Sequence, residues 1–122
     1  MSAEHRWQPR IDHMLSAIGK IQKYASGKTE SQFATDEMAL DAVIRNFQVL
    51  GEAVRHIPHE IQSKYTDVPW RLIEGMRHIL VHDYFAVKVD VVWRTIVQSL
   101  PPLVNPLQRI LQENPGHQEA AS

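Results

Sequence analysis

Apolar residues recur at three- and four-residue intervals along most of the chain. Ile11, Met14, Leu15, Ile18 and Ile21 form one such stripe, which predicts a helix from about Trp7 to Tyr24. Ser26-Gly27-Lys28 ends it. A polar connection from Lys28 to Thr35, holding Phe33, leads to Asp36, the expected N-cap of a long helix that runs to about Ile57 before Pro58. Residues 58–68 read as a turn or short helical piece. Pro69 then opens a third helix at its first position, through Trp70, Ile73, Met76 and Leu80 to about Tyr84. Residues 85–89 form a connector. A fourth helix starts near Asp90 and carries Val92, Trp93, Ile96, Val97 and Leu100, and Pro101-Pro102 must kink or break it. A last helical piece holds Leu103, Leu107, Ile110 and Leu111. No strand-type alternation persists, so the expected fold is all-α: a small antiparallel bundle of four main helices with a proline-kinked C-terminal helix. The expected domain spans residues 1–113, with a polar, disordered tail over 114–122.

Two positions break the helical pattern. On the 36–57 helix, Asp41, Arg45, Gln48, Glu52, Arg55 and His56 share a polar arc about 100° wide, leaving an apolar arc of about 240°. So wide an arc makes this helix central, or gives it a partner chain to face. Asn46 lies inside the apolar arc beside Ala39, Ala42 and Ala53. Its amide is either tied to a neighbouring backbone or directed into a site lined by small residues. On the third helix, Arg77 sits in the middle of the apolar side. It needs an acid from another helix, a path to water, or an anionic ligand such as phosphate, which the guanidinium fork suits.

Composition narrows the classes. The chain has 122 residues, 43% hydrophobic and 22% charged, which fits one globular domain. It has no cysteine, and so no disulfide framework or thiolate metal site. No run approaches the ~18 apolar residues of a membrane span, and Met1 to Arg6 offers no apolar core for a secretory signal. A cytoplasmic location is the simplest expectation. The net charge of −1 gives no long-range pull on nucleic acid, so any polyanion must be held by a local group of cations.

His78 and His82, four apart on the third helix, have the spacing of half a zinc site, but no further ligand set of metal-site spacing accompanies them. Arg77 and His82 lie about 140° apart around an ideal helix. Either the helix loosens near Val81 to Tyr84, or two copies of it build one shared site. Tyr84, seven residues beyond Arg77, returns to the arginine's stripe.

Three strings carry a resemblance: Arg45-Asn46-Phe47-Gln48-Val49-Leu50-Gly51-Glu52-Ala53, Val68-Pro69-Trp70, and Gly75-Met76-Arg77-His78-Ile79-Leu80-Val81-His82-Asp83-Tyr84. Together they resemble the HepT-like branch of the HEPN superfamily over about Ile11 to Leu111, most sharply in the Arg-x4-His-x-Tyr pattern of Arg77, His82 and Tyr84. The resemblance implies a homodimeric helical bundle, the toxin of a type VII HepT/MNT toxin–antitoxin module. It also implies a metal-independent endoribonuclease that uses no cofactor. Its partner would be a minimal nucleotidyltransferase antitoxin that attaches AMP to the motif tyrosine. On that basis Arg77 holds the scissile phosphate of RNA, His82 is the general acid/base, Tyr84 is the AMPylated residue, and Asn46 and Asp83 support them. Gln48 stands where many relatives carry an acid. The competing reading is a non-catalytic subunit that presents a substrate or nucleotide to the nucleotidyltransferase. A third is a structural dimer whose Arg77 is merely ion-paired.

Overall fold

The fold is seen in a computed structural model, which describes residues 7–82 and 88–115, with residues 78–82 described as backbone only. Among the described residues the chain forms seven α-helices and no strand: α1 (Gln8–Ala25), α2 (Glu30–Ala34), α3 (Glu37–Val54), α4 (His59–Lys64), α5 (Trp70–His82), α6 (Val89–Arg94) and α7 (Pro101–Glu113). The four long helical segments expected from periodicity are there, with short helices in the connections between them.

Helix α3 is the centre. It packs against α1 on one side and α5 on another, with α2 also against it. Its buried positions, from Ala39 through Val43, Ile44, Phe47 and Leu50 to Val54, therefore face several neighbours at once. The wide apolar arc is thus used largely inside the chain. Met38 and Val49 are its exposed members. The arc needs no second chain to explain it. Asp36 caps α3 as expected, its carboxylate accepting the Ala39 N–H at 3.0 Å.

The segment from Lys28 to Thr35, read as a polar connection, is instead built around α2. Thr29 accepts the Gln32 N–H at 3.1 Å while the Gln32 side chain accepts the Thr29 N–H at 2.9 Å. This reciprocal cap lets a five-residue helix hold. It delivers Phe33, fully buried, onto Trp93 with ring centroids 5.4 Å apart. Pro69 stands one residue before α5 rather than within it, and its carbonyl accepts the Ile73 N–H at 3.1 Å.

The proline pair breaks the fourth helix. Residues Thr95–Ser99 widen to a π-helical turn, closed by the Leu100 N–H on the Thr95 carbonyl at 3.1 Å. Pro101 and Pro102 then occupy the first positions of α7, where a missing N–H costs nothing. Helix α7 returns along α1 and is fastened at its far end. The Tyr65 hydroxyl donates to Glu113 Oε1 at 2.6 Å, Asn114 Nδ2 donates to the Tyr65 oxygen at 3.0 Å, and Arg109 pairs with Asp67. Most of the expected 114–122 tail lies outside the described residues. No helix among the described residues is long and apolar enough to cross a membrane.

Candidate functional site

The site begins where α3 and α5 approach tightly at Gly51. A Cβ at Gly51 would lie 2.7 Å from the Arg77 Cβ and 3.1 Å from the Glu74 carbonyl oxygen. Only glycine permits that approach, and it brings Arg77 of α5 beside Glu52 of α3. Arg77 Nη1 is 3.6 Å from Glu52 Oε1, with the arginine side chain 26% exposed and the glutamate 48%. The arginine that broke the apolar side of its helix therefore has an acid from another helix, one of the partners its position required.

Glu52 is shared. Its Oε1 is also 3.8 Å from Arg55 Nη1, and its Oε2 is 3.4 Å from His56 Nε2. These separations are those of ion pairs rather than good hydrogen bonds. A half-exposed carboxylate divided among them binds each only weakly, by about 0–1 kcal/mol. An anion arriving from solvent can compete for Arg77.

There is room for one. A cleft of about 470 Å³ opens over Arg77, walled by Arg10 and His13 of α1 and by Arg45, Gln48 and Glu52 of α3. Three guanidinium groups and one carboxylate line it. The whole-chain charge of −1 hid this local excess of cations. Arg10 and His13 were not singled out in the sequence, and Arg45 was read only as one of the polar positions on its helix, because the three come from two helices and each looks like an ordinary solvated position on its own. Arg45 could have been singled out as a cation within the string that carries the resemblance.

Asn46 has a plainer position. Its Nδ2 donates to the Ala42 carbonyl, one turn back on its own helix, at 2.8 Å. That is the backbone-tied alternative. The residue still borders a second, neighbouring cavity but does not reach Arg77.

The backbone of α5 stays helical through His82. At about 100° per residue, positions 77 and 82 remain about 140° apart around the axis. The helix does not loosen between them. The side chains of His78 and His82 lie outside the described residues, as do Asp83 and Tyr84 altogether. Among the described residues no group of three or more His, Asp or Glu side chains is gathered as a metal site would require.

Comparison with known proteins decides the family. A profile of the HepT-like ribonucleases matches residues 14–110. The chain belongs to the HepT-like ribonuclease family. Among its relatives, a protein of Caldanaerobacter subterraneus named "Putative RNase" is 33% identical over 106 residues, covering 87% of this chain and 95% of that one. A "Probable ribonuclease HepT" of Thermococcus cleftensis is 30% identical over 100 residues, covering 82% and 91%. A longer Methanocaldococcus jannaschii protein, named as both a gamma-glutamylcyclotransferase and a putative RNase, is 35% identical over 103 residues. The HepT-like chain spans only 46% of that relative's length. No solved structure matches the chain significantly. The family membership supports ribonuclease activity in general terms.

Proposed function

We propose that this HepT-like chain is the toxin of a two-gene HepT/MNT module. It cuts RNA without a metal ion at a site formed by Arg77 and His82, and a minimal nucleotidyltransferase silences it by attaching AMP to Tyr84. The observation that carries the reading is Arg77, brought by the Gly51 contact to the base of a solvent-open, cation-lined cleft in a member of a ribonuclease family. A purely structural arginine would be sealed by its carboxylate. This one opens to a cavity large enough for a phosphodiester.

In this reading the RNA phosphate takes Arg77, displacing Glu52. The imidazole of His82 removes the proton from the ribose 2′-hydroxyl, whose oxygen attacks the adjacent phosphorus. The P–O5′ bond breaks, and the same imidazolium returns the proton to the departing 5′ oxygen. The guanidinium offsets the charge that gathers on the phosphorane. The products are a 2′,3′-cyclic phosphate and a free 5′-hydroxyl. The 140° offset on a helix that stays regular supports a site in which Arg77 comes from one protomer and His82 from another, hence a homodimer. Asp83 and Asn46 stay as supporting residues, Asn46 through its helix rather than by contact with Arg77. AMP on Tyr84 would set a phosphate beside Arg77, filling the place of the RNA phosphate and repelling the strand.

Induction of the chain, alone and with the neighbouring nucleotidyltransferase, followed by mapping of RNA ends, tests this. Growth arrest and cyclic-phosphate ends that persist in EDTA are expected, both lost in His82→Ala. Intact mass after incubation with the partner, ATP and magnesium should rise in adenylyl steps, and Tyr84→Phe should remove them. Wild-type cleavage by a folded His82→Ala chain would overturn the assignment.

A further inference from the structure

The cleft over Arg77 does not end at Arg45. A second cavity of about 360 Å³ continues from it between α1 and α3, sharing His13, Arg45 and Val49 with the first. Its walls add Lys20 and Tyr24 of α1. The two together make one groove whose α1 side presents Arg10, His13, Lys20 and Tyr24 at helical spacing, three, seven and four residues apart. Between them the wall is low, formed by Ser16 and Ala17. From residue 10 to residue 24 the helix advances about 21 Å. At the ~3.4 Å rise of a stacked strand that is the length of about six nucleotides, and fewer for an extended one.

The chemistry of the lining is uneven. Arg10, Lys20, Arg45 and Arg77 are four cations, and Glu52 is the lone acid among the described lining residues. Asp12 and Asp41, also on α1 and α3, line neither cavity. Arg45 and Lys20 are exposed, and Tyr24 is 38% exposed at the end away from Arg77. Cations in a row with an exposed aromatic ring at one end suit a flexible polyanion that carries flat bases. They suit an apolar protein surface poorly.

We propose that the groove between α1 and α3 is the track along which single-stranded RNA reaches Arg77, with Arg10, Arg45 and Lys20 on phosphates and Tyr24 stacked on a base. The proposal rests on the ribonuclease reading of Arg77 and extends it to substrate positioning. Because the lining offers phosphate contacts and one stacking face, the track reads strand character rather than sequence.

The test is binding and cleavage of a single-stranded RNA of about ten nucleotides by the full chain, over a range of salt. Arg45→Ala and Lys20→Ala should each lower the slope of log K against log salt by about 0.7. Tyr24→Ala should weaken binding about tenfold at constant slope. All three should act on KM far more than on kcat. Charge reversal in Arg45→Glu, on an exposed side chain, gives a larger loss if the single truncations prove too small to read. RNA cleaved by wild type with KM and salt slope unmoved in these folded variants would overturn the track while leaving the ribonuclease reading intact. Salt slopes that fall as expected in a chain that never cleaves would keep the track and overturn the ribonuclease reading. Variants that shift the oligomeric state but not RNA affinity would make the groove a protein interface and also overturn the proposal.

Discussion

Replacing Gly51 with alanine tests the contact on which the site depends. The new Cβ would meet the Arg77 Cβ at 2.7 Å, with the Glu74 carbonyl oxygen at 3.1 Å and the Arg77 nitrogen at 3.3 Å. Carbon atoms in contact prefer about 3.5–4.0 Å, so the helices must separate by about 1 Å at that point. The obstacle is backbone and Cβ, which no rotamer change can move. Overpacking of this kind costs about 1–3 kcal/mol. Alanine's better helix propensity returns about 1 kcal/mol, leaving a net loss of about 0–2 kcal/mol. For a chain this size that lowers Tm by up to about 8 °C. The same movement carries Arg77 away from Glu52, now 3.6 Å distant. A misplacement of about 1 Å in a catalytic group can cost about 100-fold in rate. Gly19 is the control. It also sits within a helix, but its Cβ would meet nothing within 4 Å, so Gly19→Ala should be neutral or stabilising by up to about 1 kcal/mol. Urea titration and thermal unfolding of both variants read the stabilities, and RNA cleavage reads the displacement. A Gly51→Ala chain as stable as the Gly19→Ala chain would refute the close approach and the placement of Arg77 drawn from it.

Three further outcomes follow from the packing. Phe33→Ala empties a fully buried position against Trp93 and should cost about 3–5 kcal/mol by chemical denaturation. Asp36→Ala removes the cap on α3 and should cost about 1 kcal/mol, with Asp36→Ser recovering most of it. Tyr65→Phe should cost about 1–2 kcal/mol through the lost bond to Glu113. Burial, then the Glu113 carboxylate, raise the Tyr65 phenol above its ordinary value. Its contribution is therefore whole below pH ~10, where the unfolded chain's tyrosine begins to ionise, and is lost as pH climbs through the folded value. Alkaline unfolding of Tyr65→Phe should lack that part of the pH dependence.

Much of the fold was legible in spacing. Helix α3 announced itself through a polar arc and an Asp36 cap: the cap is found, and four of the six arc residues lie in the helix, which ends at Val54 rather than near Ile57 and leaves Arg55 and His56 beyond it. Arg77, too, was conspicuous because a cation in an apolar stripe demands an explanation, and following it led to the cleft. What escaped had a different origin. Helix α2 is five residues long, shorter than any window in which periodicity can be seen. Its signal was the Thr29–Gln32 capping pair, which lies in plain view in the sequence. The arc of α3 suggested a partner chain because angles around a helix count faces without saying what covers them, and α1, α2 and α5 cover these. The cations at Arg10 and Lys20 are meaningful only once α1 lies against α3. No spacing within α1 distinguishes them from a solvated face.

The central claim is that Arg77 of one protomer and His82 of another form one metal-independent ribonuclease site, and complementation measures it directly. Arg77→Ala and His82→Ala chains, each inactive alone, are unfolded together and refolded, and RNA cleavage is followed in EDTA. In a random mixture half of the dimers are mixed, and each mixed dimer holds one complete site and one with neither group. The account predicts recovery of about one quarter of wild-type activity. If both groups act within a single chain, no mixture can restore cleavage, and activity that stays at the level of the separate variants would contradict the account.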